Sequence, residues 1–465
     1  MQSGFFGGLG SSQTDDNALY KSRRNELLHA VQQQYPERSG AIVLFAAFET
    51  GTEKFRQDKT FYYYTGINEP GAVLVIAMDG KATLYVPHYF TKRAQWMNVL
   101  PALKNADAKA LGVDEIQFLG QEVDGYSLDV YFARQEYENM LAFLQKQIDN
   151  NGVLFTTFPQ HNGHEYISAR LTINHLQLFF ANIATNIQDI SGLIAHSRRR
   201  KDVGEIEKIY RAIEITELAH EAATQAIKIG VAESEVQASL EYIMTAAYAR
   251  TAFASIVATG KNSTVLHYSE NNGTIQEDDL VLVDIGAELN NYCADITRTY
   301  PASGAFTKRQ KEIYNIVLQT QEHIAELAKP GMWLKNPKHP EKSLHHLAQA
   351  FLKKHGYDQY FPHGIGHFLG LDVHDVGDYS VPLHEGDVIT IEPGIYIPQE
   401  GIGIRIEDNY WITKDGAMCL SENLPKTAEE IEYVMQQALS GEEEDEDLSD
   451  EDVSEDDEYE EDDFN

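Results

Sequence analysis

Two periodicities alternate along the chain. Short apolar runs bounded by Gly, Pro or polar clusters predict strands, and longer segments with apolar residues every three to four positions predict helices. Between residues 20 and about 190, AIVLFAAF (41–48), AVLVIAM (72–78) and KATLYVP (81–87) read as strands, FYYY (61–64) as a further core strand, and EYENMLAFLQKQI (136–148) as a helix. That is an α/β mixture. SGLIAHSRRRKDVG (191–204) marks a boundary. A long helix then runs from Glu205 to Gly230, with the glycine placed as its left-handed terminator. A second helix is predicted over 233–249 and two more over 308–328 and 341–355, with strands between and after them to about 415. Helices flanking a mostly antiparallel sheet make an α+β unit. The expected division is a mobile Gly- and Ser-rich start (1–18), an N-terminal α/β domain (19–195), an α+β domain (196–440) and an acidic tail (441–465).

Charge changes the picture of the tail and of possible partners. The formal net charge is −35, and 442–463 holds seventeen Asp or Glu with no Lys or Arg, so the rest of the chain still carries −18. The tail cannot bury enough apolar area to order itself. An acidic body lacks the clustered Lys and Arg that nucleic acid requires, so no nucleic-acid partner is expected. The exception, SRRRK (197–201), reads as a solvated linker or helix start. Two cysteines, Cys293 and Cys419, imply no disulfide framework and suit a reducing, cytoplasmic compartment. No apolar run is long enough for a membrane span, and the first sixteen residues, MQSGFFGGLGSSQTDD, lack the features of a secretion signal.

The candidate chemistry lies in VLVDIGAELNNYCADITRTYP (281–301). Asp284 and Asp295 fall in consecutive predicted strands joined by the turn residues of ELNNY. If the connecting loop is even, both carboxylates share a face. Buried together and unpaired they would cost several kcal/mol each. Cations lie between them, or one is protonated, or the loop is odd and they diverge. Further along, ITIEPGIYI (389–397) places Glu392 at a strand end, GIGIRIEDNYWI (401–412) places Glu407 in another strand, and FPHGIGHFLGLDVHD (361–375) brings His363, His367 and His374 within twelve residues. The glycines around His367 argue against a zinc-protease helix. Four carboxylates with one imidazole suit two hard divalent ions.

Taken in order, VLVDIGAE, CADITRTYP, HGIGHFLGLDVHD, ITIEPGIYI and GIGIRIED resemble the M24 metallopeptidases of pita-bread fold, and within them the aminopeptidase P group. FRQDKTFYYYTGINEPGAVLVI is similar to that group's N-terminal domain, so the resemblance covers about 20–437. It implies a pita-bread catalytic domain behind an α/β N-terminal domain. It also implies two divalent ions per chain, most often Mn2+, with Co2+, Fe2+ or Zn2+ as alternatives. On this resemblance Asp284 binds one ion through both oxygens, Asp295 and Glu407 bridge the pair, and His367 and Glu392 complete the other. His267 (in TVLHYSEN), His363 and His374 match histidines that bind substrate and assist proton movement. Arg405 matches a residue that offsets the acidic charge or binds substrate. The implied reaction releases the N-terminal residue from peptides with proline second, by attack of a hydroxide bridging the ions. Glu392 then exchanges protons, with His374 and His267 assisting. Homodimers or homotetramers are implied, with Tyr62 near a neighbouring subunit. Two alternatives accompany this reading. One is an Xaa-Pro dipeptidase (prolidase), because the chain between LDVHDVGDY and GDVITIEPG is short and YIPQEGIGIRIED is compact. The other is an inactive pita-bread binding module using the acidic tail, which the complete ligand set disfavours.

Overall fold

The computed structural model describes residues 13–49, 53–88, 95–96, 103, 107–122, 133–158, 160–161, 164–165, 167–180 and 183–441. The acidic tail beyond Gly441 lies outside them. A helix begins at Gln13 and runs to Gln34, so the segment 13–18, expected to be mobile, is helical.

The N-terminal half is built on β1 (Gly40–Phe45), β2 (Val73–Ala77), β3 (Ala82–His88), β4 (Glu115–Glu122), β5 (Val153–Thr156) and β8 (Ile187–Asp189), with a small hairpin of β6 (Gln160–His161) and β7 (His164–Glu165) between the last two. The sheet order is β4-β3-β2-β1-β5-β8. β2 pairs antiparallel with β1 and β3, and the remaining neighbours are parallel. Alternate residues of β1 serve opposite faces. Ile42 and Leu44 pack with Leu27 and Val31 of the first helix. Ala41, Val43 and Phe45 pack with Met140, Leu141 and Leu144 of helix Glu138–Asp149.

FYYY is not a strand. It lies in helix Lys59–Thr65, capped by Asp58, whose side chain accepts from Phe61 N–H, and closed by Gly66 in the left-handed region. All four aromatics are buried, so no face is polar and no period of 3.6 is visible. SRRRK is also corrected. Arg198, Arg199 and Lys201 are 1%, 3% and 5% exposed. Arg198 donates to Asp372, Asp375 and Thr60, Lys201 to Asp375, and Arg199 forks onto Asp387. Buried cations require such partners. The expected boundary at 195/196 falls inside helix Ser191–Arg199. The next helix, Val203–Ala226, ends four residues before Gly230, because Ile227 turns extended and buries; Gly230 is left-handed, but in the following turn.

The C-terminal half is α+β, as expected. Its strands are β9 (Arg250–Thr251), β10 (Ile256–Thr259), β11 (Leu280–Ile285), β12 (Ala287–Leu289), β13 (Tyr292–Cys293), β14 (Ile296–Pro301), β15 (Val388–Ile391), β16 (Gly394–Ile397), β17 (Ile402–Arg405), β18 (Asp408–Thr413) and β19 (Gly416–Cys419). They pair antiparallel throughout, in the orders β10-β11-β14, β13-β12-β9, β15-β18-β19 and β16-β17. A bridge from Thr297 to Glu407 ties β14 to the β17–β18 junction. Val203–Ala226, Glu233–Ala246, Lys308–Leu327, Leu344–His355 and Ala428–Ser440 supply the surrounding helices. Among the described residues no helix is long and apolar enough to cross a membrane.

Candidate metal centre

The loop between the two aspartates is even. Leu289 pairs with Tyr292, leaving Asn290 and Asn291 as a two-residue turn with φ of 51° and 70°, the left-handed pair that a tight hairpin of this twist needs. The register continues into β11 and β14, where Asp284 faces Thr297. Asp295, two residues before Thr297, therefore stands diagonal to Asp284 on one face. Divergence is excluded, which leaves cations or protonation.

Three other segments close on that face. Glu407 N–H donates to Thr297 O at 3.1 Å, and Thr297 Oγ1 donates to Glu407 Oε2 at 2.7 Å. The 365–369 segment runs beside β15: Glu392 N–H donates to Ile365 O, Thr390 N–H to His367 O and Leu369 N–H to Val388 O. Gly366 is required there, since a Cβ would collide with Thr390 O. His367 Nε2 lies 3.3 Å from Asp295 Oδ2, 3.5 Å from Glu392 Oε1 and 4.0 Å from Glu407 Oε1. Its Nδ1 donates to Phe368 O at 3.1 Å, which leaves the Nε2 lone pair facing the acids. Asp295, His367 and Glu407 alone offer three ligand atoms within 4.8 Å of one another.

The electrostatics call for positive charge. Burial, then Asp284 and Glu392, push Asp295 far above the usual carboxylate range. Burial, then Asp295, does the same to Glu407, and burial raises Glu392. Asp284 Oδ1 and Glu407 Oε1 are buried without a hydrogen-bond partner. An oxygen-rich donor set with one imidazole nitrogen and two free buried oxygens fits hard divalent ions.

All nine residues singled out from the sequence line one cavity of about 600 Å³. His267 and His374 are on its exposed side, the His374 ring 4.1 Å from that of His367. Burial and then Arg405 press His363 down to about 3. This neutral ring donates from Nδ1 to Gly364 O at 2.8 Å and accepts at Nε2 from Tyr396 OH at 2.9 Å. Arg405 is 4% exposed. Its Nε donates to Thr297 Oγ1, Nη1 to Tyr396 OH and Nη2 to Asp284 Oδ2. Sequence reasoning missed Tyr396, Thr297 and Thr390. Tyr396 stood inside ITIEPGIYI, but a tyrosine in an apolar strand reads as core.

Residues 207–414 match the family model Metallopeptidase family M24, and residues 20–128 match Aminopeptidase P, N-terminal domain. The chain is 32% identical over 426 residues to an Xaa-Pro aminopeptidase of Haemophilus influenzae, covering 85% of this chain and 93% of that protein. It is 34% identical over 375 residues to an Xaa-Pro dipeptidase of Pyrococcus furiosus, covering 80% and 92%. An Escherichia coli aminopeptidase P solved in complex with substrate superposes with a TM-score of 0.75 at 28% identity, covering 91% of this chain and 99% of that one. With both halves matched in order, the chain belongs to metallopeptidase family M24, in its aminopeptidase P group.

Proposed function

We propose that this metal-dependent aminopeptidase releases the N-terminal residue from peptides with proline in the second position. Asp284, Asp295, His367, Glu392 and Glu407 would hold two divalent ions, Mn2+ before Co2+, Fe2+ or Zn2+, with Asp295 and Glu407 shared. Bound there, such ions supply Lewis acidity and a water acidic enough to ionise near neutrality. The observation that carries the assignment is the pair of partnerless buried oxygens, Asp284 Oδ1 and Glu407 Oε1, within a cluster of four acids.

Glu392, raised by burial, takes the proton of the attacking water and returns it to the departing proline nitrogen. Thr390 Oγ1 donates to its Oε1 at 3.3 Å and orients it, while His363, 3.6 Å from its Oε2, lines the substrate cavity. His374 stabilises the developing oxyanion, and His267 contacts the substrate. The scissile amide has no N–H, so proline is selected by shape, against Phe253, Leu266 and Val373 of the cavity wall. Arg405 has all three nitrogens engaged internally, which favours charge compensation over substrate contact. The same reading divides the chain into N-terminal and catalytic units near residue 195. It describes a cytoplasmic homodimer or homotetramer, which two unpaired cysteines suit and size-exclusion chromatography tests.

The likeness to an Xaa-Pro dipeptidase favours one second reading, prolidase activity. Chains loaded with Mn2+ and assayed on matched Xaa-Pro-Xaa and Xaa-Pro substrates distinguish the two, with bound metal measured alongside. The expected result is two ions per chain and preferential cleavage of the longer peptide. Cleavage of the dipeptide alone would assign a dipeptidase, and metal uptake with no cleavage a binding module.

A further inference from the structure

The segment 260–272 leaves β10 at Thr259 and carries His267 to the cavity before returning to the body at Gly273. His267 is exposed and, among the described residues, has no hydrogen bond holding it, so its position depends on the backbone beneath. One buried side chain reaches both stems and the middle of this loop. Glu233, 0% exposed, opens helix Glu233–Ala246. Its Oε1 accepts from Thr259 N–H at 2.7 Å and from Asn262 Nδ2 at 3.0 Å. Its Oε2 accepts from Gly273 N–H at 2.6 Å and from Tyr268 OH at 2.7 Å. Tyr268 is the neighbour of His267, and its ring packs with Ile256, Ala258, Leu282 and Tyr396. Gly273 must be glycine for this contact, since a Cβ would stand 2.8 Å from Glu233 Oε1.

We infer that Glu233 is a positioning residue for the peptidase reaction, its carboxylate acting as the clamp that sets His267 against the substrate. Four donors converge on it from three parts of one excursion, and a carboxylate is the side chain that accepts four while donating none. Charge-assisted bonds of this kind are the stronger class. This inference rests on the reading of His267 as a substrate-contacting residue.

The test uses the full-length Mn2+-loaded protein. Glu233→Gln turns an amide NH2 toward two of the four donors. It is expected to lower kcat/KM for an Xaa-Pro-Xaa peptide about tenfold with bound metal unchanged. In the His267→Ala background the same substitution should have no further effect. Amide exchange should accelerate in 260–273 and nowhere else. If Glu233→Gln folds poorly, Tyr268→Phe, which removes the hydroxyl that bonds Glu233, Asn262 and Asn272 but leaves the two backbone donors on Glu233, should give the same pattern in smaller measure. Unchanged exchange in 260–273, or an equal loss of kcat/KM with and without His267, overturns the clamp. A His267→Ala variant with parental kcat/KM, accompanied by accelerated exchange in Glu233→Gln, would instead sink the substrate role of His267.

Discussion

Arg405 Nη2 stands 2.5 Å from Asp284 Oδ2, joining side chains 121 residues apart. One oxygen of Asp284 is thereby fixed while Oδ1 stays free toward the acids. The same guanidinium holds Tyr396 and Thr297, and Thr297 in turn holds Glu407. A lysine cannot reach three such acceptors at once. Arg405→Lys should therefore lower kcat/KM by about 10–100-fold and weaken metal binding, measured by peptide assay and metal titration. Parental values for both would remove Arg405 from the organisation of the centre.

Asp295, just before β14, and Glu407, at the β17–β18 junction, converge with His367. Asp295→Ala or Glu407→Ala should abolish turnover and leave fewer than two ions per chain. A chelator should silence the parent protein until Mn2+ is returned. Metal analysis beside turnover decides this, and near-normal turnover in either variant contradicts the shared-ligand assignment.

Asp375 is 6% exposed and accepts from both Arg198 and Lys201. Asp375→Asn leaves two buried cations poorly compensated. It should lower unfolding free energy by about 3–5 kcal/mol, read from urea denaturation. A loss under about 1 kcal/mol, typical of solvated pairs, would mean the cluster is open to water.

His220 is fully buried, its Nε2 donating to Ile296 O and its Nδ1 accepting from Tyr300 OH. Burial, then Arg298, lowers its pKa from 6.5 to about 3. The unfolded chain takes up a proton below 6.5 that the folded chain refuses. Stability from the neutral ring is thus present above 6.5 and drains away as pH falls toward 3, by at most ~1.4 kcal/mol per pH unit. Melting temperatures of the parent and His220→Gln across pH 7 to 4 should show a shallower slope in the variant.

Residues 442–465 carry seventeen of the acidic side chains, and the chain without them is still strongly acidic. Truncation after Gly441, which caps the last helix, should leave peptide turnover unchanged. A large drop in steady-state rate would mean that the tail contacts the site or the assembly.

The residues proposed to hold metal were legible because each sits in a short stretch where Gly, Pro or an apolar run sets the backbone, as with Glu392 before Pro393. The turn itself was legible from ELNNY, but its even count was not, since sequence alone does not fix which residues pair across it. What escaped the sequence depends on distant partners or on burial. The carboxylates that neutralise Arg198 and Arg199 lie 174 to 188 residues away, so SRRRK looked solvated. The helix of FYYY is buried on every side and shows no amphipathic period. Glu233 carries no signature at all, because two of its four partners are backbone N–H groups.

The hairpin at Asn290–Asn291 also limits how this protein can vary. Each added residue there swaps inward for outward in everything that follows on the strand, so one insertion would aim Asp295 away from Asp284. Descendants of this chain can lengthen the turn by two residues, or not at all, if they are to stay enzymes.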